Sequence, residues 1–369
     1  MKELKKDEMI KIVEENIEKL DKKDFNVYFF VLDTKGNPSG SLEYIYDNAL
    51  ALFKMGYNVT MIHQEKNFVG VSEWLGSEYD EIPHKNIETE NVNIGPCDFL
   101  FIPDIFANVM AQTKTLPCKR VIIMQNYNHL CEFMPVGVTP FDMNINEVIT
   151  TTEAQRDIIN DYFPGIKVHV VPPKIKTMFR KSKSPKKLII NIVSKNQTDV
   201  NRIVKPFYWK YPVYKWVSFR DLRGVSQSVF ADALMEGAFT IWVDEKTNFG
   251  YSALEAMRCG SILLAKIPEK LTDWNIVEGE DGKHLTDACI WFDDIDSLPK
   301  MIASIVRTWT MDELPDNVYK GLDTFNDVYT KEQQEDAIKD VYVDMLFNRR
   351  KQEFSEVLTQ LKNNGLKTE

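Results

Sequence analysis

Several things are scarce in this sequence, and each scarcity excludes something. The five cysteines, Cys97, Cys118, Cys131, Cys259 and Cys289, are odd in number, widely spaced and without a C-x-x-C pair. That excludes a disulfide framework and a zinc knuckle, and it fits a reducing, cytoplasmic setting. No stretch approaches 18 consecutive apolar residues, so no membrane-spanning helix is expected. Glycine and proline number only 16 each among 369 residues, too few for a collagenous or low-complexity chain. Positive charge is the minority: 45 Lys+Arg against 55 Asp+Glu leave −10. No global basic field therefore draws the molecule to nucleic acid or anionic lipid, although a local basic patch still can. His63, His84, His129, His169 and His284 form no H-x-H or H-E-x-x-H spacing, and no metal site is expected from them.

What is present is an ordinary globular composition, 44% hydrophobic and 27% charged, in a chain long enough for two cores. Near the N-terminus Met9, Ile10, Val13, Ile17 and Leu20 recur at helical spacing among charges. This reads as an amphipathic helix docked on the protein's own surface, not as a signal peptide or a span. Residues 26–32 (NVYFFVL) read as a strand buried on both faces of a parallel sheet. A polar loop with Gly36, Pro38 and Gly40 follows. Leu42, Ile45, Ala49, Leu52 and Phe53 then predict a helix over 41–55 stopped by Gly56, and 58–63 the next strand, completing a right-handed βαβ unit.

Further strands are predicted at 98–102, 120–124, 147–149 and 167–171. The rhythm breaks at Pro172-Pro173 and resumes with a strand at 188–193, then strands at 214–219, 239–243, 261–265 and 288–291 and helices at 226–236 and 251–259. The fold class is α/β: two doubly wound Rossmann-like domains facing a central cleft. Residues 1–173 form the N-terminal domain with its leading helix, 174–187 a basic linker, and 188–330 the C-terminal domain. Residues 331–369 are helical, with Ile338, Val341, Val343, Leu346 and Phe354 as apolar contacts expected to pack back on the N-terminal domain.

Ligands of such sheets bind beyond the carboxyl ends of the strands. The most informative segment is 247–265, TNFGYSALEAMRCGSILLA, which places Gly250 in a loop, a helix from Tyr251 to Cys259, and Gly260 as its stop. The free N–H groups of Gly250, Tyr251 and Ser252 would face an anion, for which a diphosphate is the natural occupant. Glu255, one turn further in, is placed to hydrogen-bond the vicinal hydroxyls of a ribose or sugar beside it.

This segment resembles the donor-binding segment of retaining, family-4-type glycosyltransferases with the GT-B fold, in which two glutamates seven residues apart embrace GFG…EAMACG.PV. Gly250, Glu255, Ala256, Met257, Cys259 and Gly260 match; Thr247 stands where the family has its first glutamate, with Glu245 as a nearby substitute. Residues 38–63 resemble the family's glycine loop, helix and strand, and 168–175 (VHVVPPKI) its exit into the linker. A shorter likeness, CGSILLA…CIWFDDIDSLPKMI, is to T-even phage α-glucosyltransferases, which glycosylate hydroxymethylated cytosine in DNA.

The resemblance implies a retaining hexosyl- or pentosyltransferase moving a sugar from a UDP or GDP sugar to an acceptor hydroxyl, with no metal or other cofactor. Its partners would be the nucleotide sugar and an acceptor glycan, lipid-linked sugar or modified DNA. The N-terminal domain would hold the acceptor and the C-terminal domain the donor. Carried over residue by residue, Glu255 and Lys195 are catalytic. Thr247, Phe249, Gly250, Tyr251, Ser252, Arg202 and Lys205 bind the donor. Ser39, Gly40, Ser41, Gln125, Asn126 and His129 form the glycine loop and acceptor side. The alternative is a catalytically inactive nucleotide-sugar or nucleic-acid binding protein of the same fold, motivated by Thr247 and by Gln125 and Asn126 at a strand end where the family often carries a histidine.

Two further segments invite site readings. Asp293-Asp294-Ile295-Asp296 looks like a D-x-D metal motif. Its place between a strand and a helix beginning near Leu298 instead makes Asp296 an N-cap. Residues 174–187 hold seven basic side chains and no acidic one. They read as a solvated linker at the cleft mouth, with a phosphate backbone or membrane surface as the other reading.

Overall fold

The computed structural model describes residues 21–279, 282–314, 316 and 320–348, with isolated positions at 11, 15, 351–353, 355, 356 and 359. The expected leading helix and Phe354 lie outside the described residues. The first half builds one seven-stranded sheet from β1 (Asn26–Phe30), β2 (Asn58–His63), β3 (His84–Asn86), β4 (Phe99–Pro103), β5 (Lys119–Met124), β6 (Glu147–Thr150) and β7 (Lys167–Val170). The strand order is β3-β2-β1-β4-β5-β6-β7, every pair parallel. The helices between them are α1 (Gly40–Lys54), α2 (Ala107–Gln112), α3 (Tyr127–Phe133) and α4 (Glu153–Tyr162).

The continuous apolar run at β1 has a simple cause. Val27, Phe29 and Val31 point into one hydrophobic cluster while Tyr28 and Phe30 point into the other, so neither face can be polar. Each fully buried aromatic, such as Phe29 or Phe101, contributes about 1.5–3 kcal/mol of burial. Helix α1 starts at Gly40, capped by Ser39, whose hydroxyl accepts the Leu42 N–H at 3.3 Å. It is buried from Leu42 to Leu52 because it lies beneath further chain.

The second half builds a five-stranded sheet from β8 (Lys187–Ser194), β9 (Ser218–Asp221), β10 (Gly237–Val243), β11 (Ile262–Lys266) and β14 (Ile290–Phe292), in the order β14-β11-β10-β8-β9, again all parallel. Its helices are α5 (Gln197–Lys210), α6 (Gln227–Glu236), α7 (Tyr251–Arg258) and α8 (Leu298–Thr310). An antiparallel hairpin, β12 (Ile276–Gly279) with β13 (Gly282–Leu285), stands apart. After α9 (Lys320–Phe325) come α10 (Lys331–Tyr342) and a π turn, Val343–Asn348. Ile338, Tyr342, Met345 and Leu346 of this last segment join the core of the first sheet.

Three details differ from the sequence reading. The strand expected at 214–219 is β9, Ser218–Asp221, because Tyr214 closes a 3-10 turn, Pro212–Tyr214. The edge strand β3 and the β12–β13 hairpin were not expected. In each sheet the strand order reverses once, between β1 and β4 and between β8 and β10, and there the strand ends leave a crevice.

Candidate functional site

Both crevices open on one cavity of about 440 Å³ between the two halves. From the first sheet it takes Ser39, Gly40, Ser41 and Glu43 at the start of α1, and Gln125, Asn126 and His129 after β5. From the second it takes Lys195 after β8, Asp244 after β10, and Thr247, Phe249, Gly250, Tyr251, Ser252 and Glu255 around the start of α7. Phe179, Val225 and Phe230 add an apolar wall.

The start of α7 is fixed by a glycine whose backbone and surroundings would strain any side chain. Gly250 has φ +80°, and a Cβ there would lie 3.2 Å from the rings of Trp242 and Trp274. Its N–H donates to the Thr247 hydroxyl at 3.1 Å. This corrects the expectation of three free amides: the Tyr251 and Ser252 N–H groups remain without an acceptor among the described residues, and Thr247 closes the loop. Glu255 projects from α7 into the same cavity. Burial, reinforced by the Glu43 carboxylate and opposed by Lys176, pushes its pKa up to about 8. At neutral pH it is therefore a protonated carboxyl, able to donate as well as accept.

The linker forms part of the wall. Lys176 pairs with Glu43 at 3.1 Å and donates to Gln227 Oε1 at 2.8 Å; Lys174 pairs with Asp47 at 2.5 Å, and Asp47 also accepts from the Tyr79 hydroxyl at 2.6 Å. Lys186 donates to the Leu234 carbonyl at 2.7 Å and Lys187 pairs with Glu236 at 2.7 Å. Lys174, Lys176 and Lys186 are thus tied internally, which corrects the reading of a solvated linker for that part of it. Arg180, Lys181, Lys183 and Lys187 stay exposed.

On the opposite wall sits a residue that sequence reasoning missed. Asp104, buried just beyond β4, accepts the backbone N–H groups of Gln125 (2.9 Å) and Asn126 (2.8 Å) on one oxygen and meets His129 Nδ1 at 3.0 Å with the other. That hydrogen bond raises the His129 pKa against the opposing effect of burial. The available signal was a carboxylate immediately after a strand end. Gln125 donates to the Ser41 carbonyl at 2.8 Å, and the Asn126 side chain caps α3, accepts from Asn248 and reaches the Lys246 carbonyl at 3.4 Å, tying the halves together. Lys195 lies 2.8 Å from Asp244.

Several expected positions fall elsewhere. Arg202 pairs with Asp296 at 2.8 Å on the surface, and neither it nor Lys205 lines the cavity, because the inward face of α5 is Val200, Ile203 and Phe207. Glu245 faces Lys266 at 3.7 Å and does not line the cavity either. In the D-x-D segment the cap is Asp294, which accepts the Asp296 N–H at 3.0 Å, while Ser297 precedes α8. Among the described residues no group of three His, Cys, Asp or Glu could hold a metal ion.

Two more ties cross the cleft. Asp273 caps α4 of the other half, accepting the N–H groups of Glu153 at 2.8 Å and Ala154 at 2.9 Å. The Tyr251 ring packs where a Cβ on Gly40 would sit, at 3.4 Å.

No protein-family model and no curated protein matches the sequence. Solved structures do match the backbone. Sucrose-phosphate synthase from Thermosynechococcus elongatus is similar at TM-score 0.60 and 10% identity, over 87% of this chain and 98% of that one. HepE from Anabaena in complex with UDP is similar at TM-score 0.60 and 11% identity, over 86% of this chain and 100% of that one. The pneumococcal O-GlcNAc transferase GtfA in complex with UDP and GlcNAc is similar at TM-score 0.51 and 11% identity, over 69% of this chain and 58% of that one. The fold is GT-B. In GT-B terms the cavity is the interdomain cleft, and Tyr251, Ser252, Glu255 and Lys195 come to it from the C-terminal domain. No helix of the described residues is long and apolar enough to cross a membrane.

Proposed function

We propose that this chain transfers a sugar from a nucleoside-diphosphate sugar to an acceptor hydroxyl, with retention of anomeric configuration. The observation that carries the reading is the convergence of the open N-terminus of α7, the Lys195 ammonium and the Glu255 carboxyl on one interdomain cavity. A diphosphate against the Tyr251 and Ser252 N–H groups gains about 0.3–2 kcal/mol from the helix terminus and about 1.5–3 kcal/mol per charge-assisted hydrogen bond. Lys195 reaches it by exchanging Asp244 for phosphate. Glu255 holds the ribose hydroxyls, and the base lies along Phe179, Val225 and Phe230.

In the transfer, the bond between the anomeric carbon and the diphosphate oxygen breaks as the acceptor oxygen bonds to that carbon on the same face. The acceptor's proton passes to the departing phosphate oxygen, so no strong protein base is required. Negative charge grows on the diphosphate, and the helix terminus with Lys195 is aimed at it. These groups take the part a divalent cation has elsewhere, and turnover is expected to survive chelation by EDTA.

Incubation with a panel of UDP and GDP sugars should release nucleotide only when an acceptor is present, and Glu255→Ala should abolish release. Proton NMR of the product should show the donor's anomeric configuration. An inverted product would instead make His129, held by Asp104, the base. A second reading, a nucleotide-sugar binding protein without turnover, draws on Thr247: the position of the family's first carboxylate serves here to hold Gly250. Saturable nucleotide binding with no release across the panel would establish that reading in place of the first.

A further inference from the structure

The second domain carries a surface that the cleft does not use. Helix α5 ends at Lys210 and turns through Pro212–Tyr214 toward β9. On this corner Trp209 is 75% exposed, Val213 72% and Trp216 56%. Single exposed apolar side chains are ordinary, but three large ones within eight residues, with Pro212 exposed among them, form a patch. The patch is rigid. Phe207, fully buried, stacks on Tyr214 at 6.1 Å and meets Phe219 edge-on at 5.3 Å; Tyr214 supports Trp216 edge-on at 6.2 Å, and the Tyr208 hydroxyl donates to the Val217 carbonyl at 2.6 Å.

Charge is segregated at the same corner. Residues 200–220 contain five basic side chains and no acidic one, in a chain whose net charge is −10. Arg202 and Arg220 pair with Asp296 and Glu236, whereas the exposed Lys205, Lys210 and Lys215 have no anionic partner among the described residues. A firm apolar tip is thus rimmed by ammonium groups without an anionic partner among the described residues, that of Lys210 lying 5.8 Å from the centre of the Tyr211 ring.

We propose that this corner docks the protein on an anionic lipid surface. Trp209, Val213 and Trp216 enter the headgroup boundary, where tryptophan is favoured, and the lysines extend their stems to lipid phosphates. A second copy of the chain is a poor occupant, because a twofold contact through the patch sets Lys210 and Lys215 against their own copies. A nucleic acid answers the lysines but leaves Pro212 and Val213 exposed to water. The cleft stays free: α5 begins beside Lys195, and its length of about 21 Å separates the two surfaces.

The test is co-sedimentation of the full chain with vesicles of phosphatidylcholine alone and of a roughly 2:1 mixture of phosphatidylcholine and phosphatidylserine. Sedimentation with the mixed vesicles only, reversed by salt, is expected. Lys210→Gln with Lys215→Gln should weaken partitioning about 25-fold, about fivefold for each lysine. Trp209→Ser, Val213→Ser and Trp216→Ser together should abolish it while the thermal melt stays within a few degrees of the parent. The proposal is overturned if the parent fails to sediment with the mixed vesicles, if it binds phosphatidylcholine equally well, or if the triple variant sediments like the parent. Binding of duplex DNA or a soluble glycan, lost in the same variants while vesicle binding persists, would likewise overturn it.

Discussion

Replacing the Glu255 carboxyl by an amide separates what this group does for stability from what it does for binding. Burial and the Glu43 carboxylate raise its pKa from an ordinary 4.5 to about 8. Between those values the folded chain keeps a proton that the unfolded chain has released, so stability falls as pH rises through the window and the full cost is present above about pH 8. A difference of 3.5 pH units (8 − 4.5) sets a ceiling of about 5 kcal/mol. The cleft is open to water that can relax around the anion, so an amide should recover about 2 kcal/mol, or about 2–3 °C in Tm for a chain of this length. Ligand-free melts of Glu255→Gln and the parent are therefore expected to coincide near pH 5 and to separate near pH 9, with the variant the more stable. An equal difference at both pH values would refute the burial of this carboxyl beside Glu43 as the source of a raised pKa. Nucleotide binding should move the other way above about pH 8, where the group is a carboxylate: losing its charge-assisted hydrogen bond to the ribose weakens affinity about 10- to 150-fold there. A residue whose removal stabilises the fold and harms binding is kept for the site.

Gly250→Ala forces a Cβ against Trp242 and Trp274 at positive φ; a loss of about 1–3 kcal/mol in a denaturant melt and of nucleotide binding is expected. Asp273→Ala leaves the Glu153 and Ala154 N–H groups uncapped across the cleft. It should cost about 0.5–2 kcal/mol and raise the radius of gyration by small-angle scattering, and an unchanged radius would argue against its role as a tie. Lys195→Gln should lower kcat about 10- to 100-fold, while Asp244→Asn, which frees Lys195 from its partner, should tighten nucleoside-diphosphate binding in a calorimetric titration.

The strands legible in the sequence are those buried on both faces, because alternation between two apolar clusters writes an unbroken apolar run, as at 26–32 and in β10. Where a strand lies at an edge the run is lost. β3 has three residues, and β9 is only partly buried, so the aromatic stretch before it drew the prediction several residues too early. In the β12–β13 hairpin Ile276 opposite Leu285 is the one apolar pair and Val277 is exposed, so it carries no hydrophobic period to read. The start of α7 was legible because its parts are local: a loop glycine, a helix and a stop within a dozen residues. Asp104 with His129 and Glu43 with Lys176 were not, since they meet only through the fold. Arg202 and Lys205 were chosen for nearness in sequence to Lys195, whereas helical geometry turns Val200, Ile203 and Phe207 inward and those two cations out.

The same residue that offers its amide to an anion also sets the distance between the domains. Tyr251 contributes a free N–H at the start of α7, and its ring fills the space above Gly40, where any side chain would meet it. Gly40 begins α1, and one turn later Glu43 faces both Lys176 of the linker and the Glu255 carboxyl. A diphosphate drawn to Tyr251 and Ser252 therefore acts on a helix end already in contact with the opposite domain. Because Glu255 senses Glu43 only when the domains are together, opening the cleft should lower its pKa toward the ordinary value. Charge at 255 and closure are thus linked: acid favours the closed, protonated arrangement, and alkali favours the open one unless a nucleotide's hydroxyls take the carboxylate as partner.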